Sequence, residues 1–372
     1  MTPDVVILGA GLSGLLVANA LFRQGLRVAV YESEPRSTSG GAARVAAAML
    51  APATESVDAD PTVVSLGFRS LELWPTILSE LSAPVFFQQN GTLVLWHPQD
   101  KDQAGLFQSR LGRTSAALDQ NKRPIYLDAV GIHELEPALE HRFAQAVFLP
   151  SEGQLDNRGL LETLIETLLE SGVPIHWGEE RAPEEVSAGW IIDCRGLGAR
   201  HRITTLRGVR GEVLRVQTPE IALNRPIRLL HPRYPIYIAP KPLGVYVVGA
   251  TQIEAEDRSA PSVRSALELL SALYTVHPAF GEARILEMGS QCRPALPDNR
   301  PRIAWDGNRV ITINGLYRHG FMIAPAVVEQ ALALLAVLNQ NPKDFHHWLS
   351  QQNADFIFDG PPPSSEQHAY IH

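Results

Sequence analysis

The feature that most constrains this chain is a glycine-rich turn near its start, between a predicted strand and a predicted helix. Val5–Leu8 is a continuous aliphatic run, typical of a strand buried on both faces of a parallel sheet. The next residues read GAGLSG, which matches G-x-G-x-x-G, and apolar residues follow at helical spacing. Here Gly9 permits a tight turn, Gly11 lets a pyrophosphate approach the backbone, and Gly14 allows close helix–strand packing. The segment predicts a dinucleotide site at a helix N-terminus.

A carboxylate follows at the position that such a site requires. A second apolar run, Val28–Tyr31, ends at Glu32, 18 positions after Gly14. A carboxylate at this place can accept hydrogen bonds from a ribose. Taken alone, Glu32 has the alternative reading of a solvated surface charge. The motif itself does not distinguish FAD from NAD, because both carry the same ADP half.

A second segment is rich in small residues and has two interpretations, one of which is contact with a flavin. Residues 40–52 read GGAARVAAAMLAP, and so many glycine and alanine side chains permit close backbone contact with a bulky ligand. The alternative is an alanine-rich buried helix. The sequence by itself leaves these two interpretations about equally supported.

Composition excludes several classes of protein. A chain of 372 residues favours two domains, and 45% hydrophobic with 19% charged residues is typical of a globular fold. The net charge of -8, without a Lys/Arg run, disfavours nucleic acid as a partner. The two cysteines, Cys194 and Cys292, lack metal-ligand or disulfide spacing, so we expect no metal and a cytoplasmic location. The sequence contains no continuous apolar stretch of about 20 residues, which is the length that a membrane-spanning helix requires.

Five segments, in order along the chain, carry a resemblance to a known family. They read AAAMLAP from Ala46, GQLDNRGL from Gly153, VVGAT from Val247, CRPALPD from Cys292 and GLYRHGFMIAP from Gly315. With the opening motif, they resemble the D-amino-acid oxidase superfamily of flavoproteins, and most closely the glycine oxidases of bacterial thiamine biosynthesis.

The resemblance implies an α/β (mixed α+β) fold, in which a Rossmann-like FAD-binding domain is interleaved with a substrate-binding domain built on an antiparallel β-sheet. The FAD-binding domain is expected to comprise residues 1–80, 150–208 and 295–358. The substrate-binding domain is expected at 81–149 and 209–294, with a loose tail at 359–372. Runs of β-forming residues between Pro/Gly turns at 211–216, 234–239 and 244–250 agree with the substrate domain. Helices are predicted over 159–171 and 324–338.

Three residues are the candidate catalytic set that the resemblance implies. Arg293 matches the family's carboxylate-binding arginine, and a guanidinium can form two parallel hydrogen bonds with a carboxylate. Tyr237 matches an active-site tyrosine that walls the pocket and contacts substrate, although a strand aromatic can equally belong to the core. Arg318 matches a second residue near the substrate, with a structural salt bridge as its alternative. Pro235 and Gln252 depart from residues of some relatives, which leaves the polarity of the pocket open.

The expected FAD contacts lie in five parts of the chain. The turn Gly320–Met322, leading into a helix at Ala324, is expected to offer N–H groups to negative charge on the reduced flavin, and His319 is assigned no proton transfer. The full predicted set is Gly9, Gly11, Leu12, Ser13, Gly14, Glu32, Ser33, Ala42, Ala43, Ala47, Ala48, Met49, Gly196, Tyr317, His319, Gly320, Phe321 and Met322.

The function implied by the resemblance is FAD-dependent oxidation of a small amine or amino acid by O2. Glycine, sarcosine and small D-amino acids are the candidate substrates, and hydrogen peroxide is a product. The alternatives are a D-amino-acid dehydrogenase that uses another acceptor, an FAD module acting on tRNA-linked amines, and a non-catalytic scaffold. Net charge disfavours the tRNA module, and the presence of both Arg293 and Arg318 disfavours the scaffold. Assembly into a homo-oligomer is left open.

Overall fold

The computed structural model describes residues 2–38, 41–115, 119–233, 235–352 and 358–360. The described strands, numbered along the chain, are β1 Val5–Leu8, β2 Val28–Glu32, β3 Met49–Leu50, β4 Phe87–Gln88, β5 Thr92–Trp96, β6 Ile125–Asp128, β7 Gln145–Leu149, β8 Gly153–Leu155, β9 Ile175–Trp177, β10 Trp190–Asp193, β11 Arg207–Gln217, β12 Ile227–Leu230, β13 Ile236–Lys241, β14 Val245–Gly249, β15 Arg284–Ala295, β16 Arg302–Trp305, β17 Val310–Asn314 and β18 Phe358–Asp359. The described α-helices are α1 Leu12–Arg23, α2 Gly41–Val45, α3 Pro52–Glu55, α4 Pro61–Ser79, α5 Lys101–Ser115, α6 Ala129–Leu135, α7 Asn157–Glu170, α8 Val263–Val276, α9 Gly320–Gln340 and α10 Phe345–Ser350.

A seven-stranded sheet, in the order β18-β16-β17-β10-β1-β2-β9, contains the opening motif. The five strands from β17 to β9 are parallel, and β16 runs antiparallel to β17. The four residues of β1 are all buried, as expected for a central parallel strand. Helices α1, α7 and α9 join its main hydrophobic cluster. Gly9 and Glu32 both lie at the carboxyl ends of parallel strands, which is where ligands bind to open α/β sheets.

An eight-stranded sheet, in the order β15-β11-β14-β13-β12-β5-β7-β6, forms the second layer. Neighbouring strands are antiparallel except for β12 and β5, which are parallel. One face packs against α8 in a separate hydrophobic cluster. On the other face Val213, Ala239 and Val247 contact Ala47 and Met49 of the alanine-rich segment. The sheet therefore covers that segment.

The two large sheets draw on alternating parts of the chain. Strands of the first sheet come from residues 5–32, 175–193, 302–314 and 358–359, and those of the second from 92–149 and 207–295. A small sheet of β3, β8 and β4 links the two parts. Asp359 was predicted to belong to the tail, but it lies in β18 and pairs with Ala304 of β16. Residues 361–372 lie outside the described residues. The division into two domains with the boundaries given above stays a proposal.

Helix α9 begins at Gly320, four residues before the predicted start at Ala324. Pro325 lies inside it, where a proline frees the carbonyl oxygen of residue 321 from its usual partner. The indole nitrogen of Trp74 donates to that oxygen at 3.1 Å, and the hydroxyl of Ser70 accepts from the Ala326 N–H at 3.1 Å. Because α4 supplies these side chains, the helix continues through the proline.

The same helix is apolar enough to require a test for membrane insertion. Tyr317–Gln340 is long and apolar enough to cross a bilayer, but 67% of its most apolar stretch is buried inside the protein. Both it and α4 contribute to the main hydrophobic cluster. The pattern is that of a core helix.

Helix α7 also begins earlier than predicted, at Asn157, because the side chain of Asp156 accepts from the Arg158 N–H.

Candidate active site and cofactor cavity

A cavity of about 1300 Å³ extends from the carboxyl ends of β1, β2 and β10 to strands β13, β14 and β15. The structure brings nearly all the predicted site residues to this one cavity. Of the predicted set only Gly14 does not line it; those that do are Gly9, Gly11, Leu12, Ser13, Glu32, Ser33, Ala42, Ala43, Ala47, Ala48, Met49, Gly196, Tyr237, Arg293, Tyr317, Arg318, His319, Gly320, Phe321 and Met322. Pro235 and Gln252 also line it. The same cavity therefore connects the nucleotide motif with the candidate catalytic residues.

The three motif glycines differ in what a side chain would meet. Gly9 has φ +96°, and an added Cβ would lie 2.8 Å from the carbonyl oxygen of Cys194. At Gly14 an added Cβ would lie 1.9 Å from the Gly9 carbonyl oxygen, so this glycine serves packing, as predicted. At Gly11 an added Cβ meets no protein atom within 4 Å. The open side of Gly11 is therefore available to a pyrophosphate at the N-terminus of α1.

Glu32 is held in one orientation by its neighbours. Its Oε2 accepts from the Ala10 N–H at 2.7 Å, and its Oε1 accepts from the Glu34 N–H at 2.9 Å. The residue is 9% exposed and lines the cavity, so the surface-charge interpretation does not describe it. Oε1 also accepts from the Ser33 hydroxyl at 3.2 Å, whereas Oε2 retains a second acceptor site. Binding of a ribose hydroxyl by Glu32 stays a prediction.

The alanine-rich segment is only partly helical. Residues 41–45 form α2, Ala48 has φ +53°, and Met49 begins β3. The buried Asn157, which the sequence reasoning missed, donates to the carbonyl oxygens of Ala43 and Arg44 at 2.9 Å each. A left-handed backbone at an alanine is unfavourable and persists only where surrounding contacts hold it. The interpretation as one buried helix is therefore wrong, and the segment instead lines the cavity.

Two further residues with a left-handed backbone conformation line another wall of the cavity. Tyr317 has φ +52° and Gly196 has φ +55°, and both line the cavity. The side chain of Asn314 donates to the Gly196 carbonyl oxygen at 2.9 Å, which ties the two turns together. The Tyr317 ring packs against Val209 and Ala295. These contacts fix the turn that precedes α9.

The first turn of α9 is formed by the residues that were expected to lie in a turn before it. Gly320, Phe321 and Met322 are the first three helical residues, so their N–H groups have no partner inside the helix. All three line the cavity. The expected source of positive potential is thus moved from a preceding turn into the helix itself. Nδ1 of the buried His319 has no hydrogen-bond partner among the described residues and is available to a ligand group.

Arg293 is positioned by two strands and a loop. Its Nη1 donates to the Thr251 carbonyl oxygen at 3.2 Å. A Cβ at residue 211 would lie 2.2 Å from the Arg293 Nη2, so glycine at that place on β11 makes room for the guanidinium. Within the described part of the chain, no carboxylate lies within 4 Å of it, and burial lowers its pKa. A partly buried cation that lines a cavity without an acidic partner can bind an anion supplied by a ligand.

Tyr237 and Arg318 meet at a carboxylate that the sequence reasoning missed. The Tyr237 hydroxyl donates to Oε1 of Glu55 at 2.7 Å, and Nη2 of Arg318 lies 2.7 Å from its Oε2. Nε2 of His319 is 3.1 Å from the same oxygen. Arg228, also missed, lies 3.6 Å from Oε1 and donates to the Tyr237 hydroxyl at 3.0 Å. The salt-bridge alternative for Arg318 is therefore present in the structure.

The charges in this cluster determine its protonation. Burial alone raises the pKa of Glu55, but Arg318, His319 and Arg228 together outweigh burial and hold that pKa well below its usual value. The nearby Glu55 charge raises the pKa of Arg318. Burial raises the pKa of Tyr237 well above its usual value. At neutral pH the cluster consists of a carboxylate, two guanidinium groups and a neutral phenol.

A second buried carboxyl supports the short helix that carries Glu55. The backbone N–H and the hydroxyl of Thr54 both donate to Glu152, at 2.5 and 2.7 Å. Burial raises the pKa of Glu152 to about 7. No motif in the sequence marks Glu55, Glu152 or Arg228, and a buried charge in a short Pro-initiated helix is the only available signal.

Comparison with known proteins identifies the family of the chain. The family described as "DAO: FAD dependent oxidoreductase" matches residues 4–333. The chain is 40% identical to the putative thiamine biosynthesis oxidoreductase ThiO of Rhizobium etli, over 91% of this chain and 98% of that protein. It is 23% identical to a glycine oxidase of Bacillus licheniformis, over 88% and 91% of the two chains.

A solved structure shows the same fold. Glycine oxidase from Bacillus cereus superposes with a TM-score of 0.76 at 22% identity, covering 89% of this chain and 96% of that one. The predicted α/β fold with a Rossmann-like FAD-binding domain is thereby confirmed, as is FAD as the cofactor. The chain belongs to the DAO family of FAD-dependent oxidoreductases and is an enzyme of the glycine oxidase/ThiO type.

Proposed function

We propose that the protein catalyses the oxidative deamination of glycine and other small amines, including sarcosine and small D-amino acids. For a primary amino acid, the amine, O2 and water give a 2-oxo acid, ammonia and hydrogen peroxide. The observation that carries this proposal is Arg293, a partly buried guanidinium without a carboxylate partner among the described residues, in the same cavity as the nucleotide motif. The names of relatives, a glycine oxidase and a thiamine biosynthesis oxidoreductase, support the same reaction class.

FAD supplies the redox chemistry when it is bound, by accepting the hydride equivalent from the carbon next to the amine and passing two electrons to O2. The turn at Gly11 and Glu32 would hold its ADP half, and the segment from Ala42 to Met49 would lie against the rest. The free N–H groups in the first turn of α9 would stabilise negative charge on the cofactor.

The substrate-binding roles follow from which polar groups are already occupied. Arg293 would hold the substrate carboxylate through two charge-assisted hydrogen bonds. Tyr237 would wall the pocket with its ring, because its hydroxyl already donates to Glu55. Arg318 is neutralised by Glu55 and would orient the substrate less strongly than Arg293. No strong base is required, since the amine reacts in its neutral form. We further infer a cytoplasmic protein whose partners are the small substrate and O2.

A substrate panel tests this function. Purified protein should be yellow, and anaerobic glycine or a small D-amino acid should bleach its flavin absorbance. Readmitted air should restore the colour with stoichiometric hydrogen peroxide, which separates an oxidase from a dehydrogenase that uses another acceptor. Flavin that no amine bleaches would refute the proposal.

Arg293→Ala tests the assignment of the carboxylate site. Truncating one partner of a buried charge pair costs about 2–5 kcal/mol, so kcat/KM for glycine should fall by about 30-fold or more. Arg284→Ala is the matched control, because Arg284 lies exposed on the same strand, β15. Equal kinetics for the two variants would remove Arg293 from the site.

A further inference from the structure

The segment VVGAT, which carries part of the family resemblance, ends at Thr251, just beyond strand β14. The last residue of that strand, Gly249, pairs with Val213 of β11. The chain meets β11 again at Ile253, which forms a bridge with Arg210. Between these two pairs β11 has two residues and the other segment has three, so the segment bulges. Bulges often lie beside active sites, where they re-aim a group.

Thr251 joins the bulged segment to β11 through both its main chain and its side chain. Its N–H donates to the Glu212 carbonyl oxygen at 3.2 Å, and its hydroxyl accepts from the Glu212 N–H at 2.9 Å. In a regular antiparallel ladder, the facing residue would accept through its own carbonyl oxygen. At this position the threonine hydroxyl takes the place of that carbonyl oxygen.

The Thr251 carbonyl oxygen is thereby left for Arg293, whose Nη1 donates to it at 3.2 Å. Among the described residues, this oxygen is the only hydrogen-bond acceptor of the Arg293 guanidinium. The other N–H groups of a guanidinium bonded in this way can form two parallel bonds with a carboxylate. Because the guanidinium is planar and rigid, one fixed contact restricts the direction in which those groups point.

The part of β11 that holds Thr251 is itself fixed. Glu212 is buried, and Nε and Nη2 of Arg210 donate to its Oε1 at 2.8 and 2.6 Å. Arg210 also donates to two carbonyl oxygens of the loop that follows Thr251, at 2.6 and 3.0 Å. Arg293 pairs with Val209, so it projects from the opposite face of the sheet. The buried ion pair thus supports the strand from behind, and Thr251 connects the strand to Arg293.

We propose that Thr251 is a positioning residue for the substrate carboxylate. Its hydroxyl holds the bulged segment against Glu212, and its carbonyl oxygen, fixed in this way, sets the direction of the Arg293 guanidinium. This role rests on the proposed amine oxidation, in which Arg293 binds the substrate carboxylate.

Carboxylate binding to the oxidised holoenzyme measures this role without turnover. Glycolate carries the carboxylate of glycine with a hydroxyl in place of the amine, and the change in flavin absorbance on binding gives its Kd. Thr251→Val keeps the shape of the side chain but leaves the Glu212 N–H without its acceptor. The Kd for glycolate should therefore rise by about tenfold or more. Thr251→Ser keeps the hydroxyl and should stay within about twofold of the native protein.

Steady-state kinetics and a matched control give a second readout. In Thr251→Val the KM for glycine should rise with the Kd for glycolate. The kcat should change by less than about threefold, because the carboxylate is bound equally in the ground state and the transition state. Thr218→Val is the control, since the Thr218 hydroxyl also accepts a main-chain N–H, that of Glu220 at 3.2 Å, directly after β11 and outside the cavity lining. It should leave both constants within about twofold of the native values.

A double-mutant cycle with Arg293→Lys separates positioning from general damage to the fold. If Thr251 acts through the guanidinium, Thr251→Val should add less than about twofold to the Kd of Arg293→Lys. Effects that multiply in the double variant, or equal Kd values for Thr251→Val and Thr251→Ser, would overturn the role of Thr251 while leaving glycine oxidation intact.

Two further variants keep the outcome decisive. Thr251→Ala, which also lacks the acceptor, replaces Thr251→Val in every comparison if the valine variant does not retain FAD. Arg293→Ala should weaken glycolate binding more than any Thr251 variant. An unchanged Kd in Arg293→Ala would instead overturn the proposed carboxylate site, and the role of Thr251 with it.

Discussion

Replacing Glu55 with glutamine removes one negative charge from the cluster that Glu55 forms with Tyr237, Arg318, His319 and Arg228, while keeping the size of the side chain. The glutamine can still meet Tyr237 and His319, but it leaves Arg318 and Arg228 without a carboxylate. Two unit charges 2.7 Å apart, as for Arg318, attract by about 6 kcal/mol at an effective dielectric constant of about 20. The 3.6 Å contact with Arg228 gives about 5 kcal/mol on the same scale.

The measured loss should be smaller than this gross attraction. Arg318 is 30% exposed and can turn toward water, whereas Arg228 and Glu55 are each only 10% exposed. Removing one partner of a buried pair costs about 3–5 kcal/mol, mostly because a charge stays buried without compensation. We therefore expect Glu55→Gln to lower the free energy of unfolding by that amount. Chemical denaturation of the holoprotein at pH 7 measures it.

A surface pair provides the matched control. Arg69 and Glu329 form an ion pair with side chains 48% and 43% exposed, so Glu329→Gln should cost less than about 1 kcal/mol. An equal, small loss of unfolding free energy in both variants would refute this reasoning. The reduction potential of the bound flavin should also be higher in the Glu55 variant, because the net charge of the site becomes more positive by one unit. A merely structural role for Glu55 would leave this reduction potential unchanged.

The pH dependence gives an independent check on Glu55. Its pKa in the folded protein is held well below the usual value. A carboxyl with a lowered folded pKa contributes stability that is present above its unfolded pKa, about 4.3, and is lost as pH falls through the folded value. The difference between the native protein and Glu55→Gln should therefore shrink in acid, below about pH 4.

Two further predictions concern the nucleotide turn and Glu152. Gly11→Ala should fold normally but bind FAD at least about tenfold more weakly, measured by flavin absorbance after gel filtration, because its Cβ enters only open space; full flavin content would contradict this. Gly14→Ala, the paired variant, should instead lower Tm, since its Cβ would lie 1.9 Å from the Gly9 carbonyl oxygen. Burial raises the pKa of Glu152 to about 7, so its folded form keeps a proton that the unfolded chain releases, and stability falls by about 3 kcal/mol as pH rises from 4.5 to 7. Glu152→Gln should remove this slope in a series of denaturation curves, and an unaltered slope would show that Glu152 ionises freely.

The opening β1–α1–β2 unit could be predicted because its signals are local. Glycine spacing, a buried aliphatic run and helical periodicity all lie within residues 5–32, and Gly9, Gly14 and Glu32 take the places that these signals indicate. The later segments depended on family resemblance instead. Arg293 could be selected from CRPALPD, but its room beside Gly211 arises from pairing between β11 and β15.

The charged cluster could not be predicted, since its members meet only in three dimensions. Glu55 and Arg318 are 263 positions apart, and nothing near either residue in sequence indicates the other. The start of α9 was missed for a related reason. Pro325 suggested a first turn near itself, but Trp74 and Ser70 from a distant helix allow the helix to begin earlier.

The contacts around Pro325 make α4 a mechanical link between two parts of the site that it does not itself line. Its Trp74 and Ser70 fasten the first turns of α9, and Gly67 lets it approach both Pro52 and Met322, where an added Cβ would lie 2.8 and 3.2 Å from their side chains. Pro52 begins the short helix that carries Glu55. A displacement of α4 would thus move the Glu55 carboxylate and the N–H groups at the start of α9 together, so the flavin spectrum should register packing changes on α4.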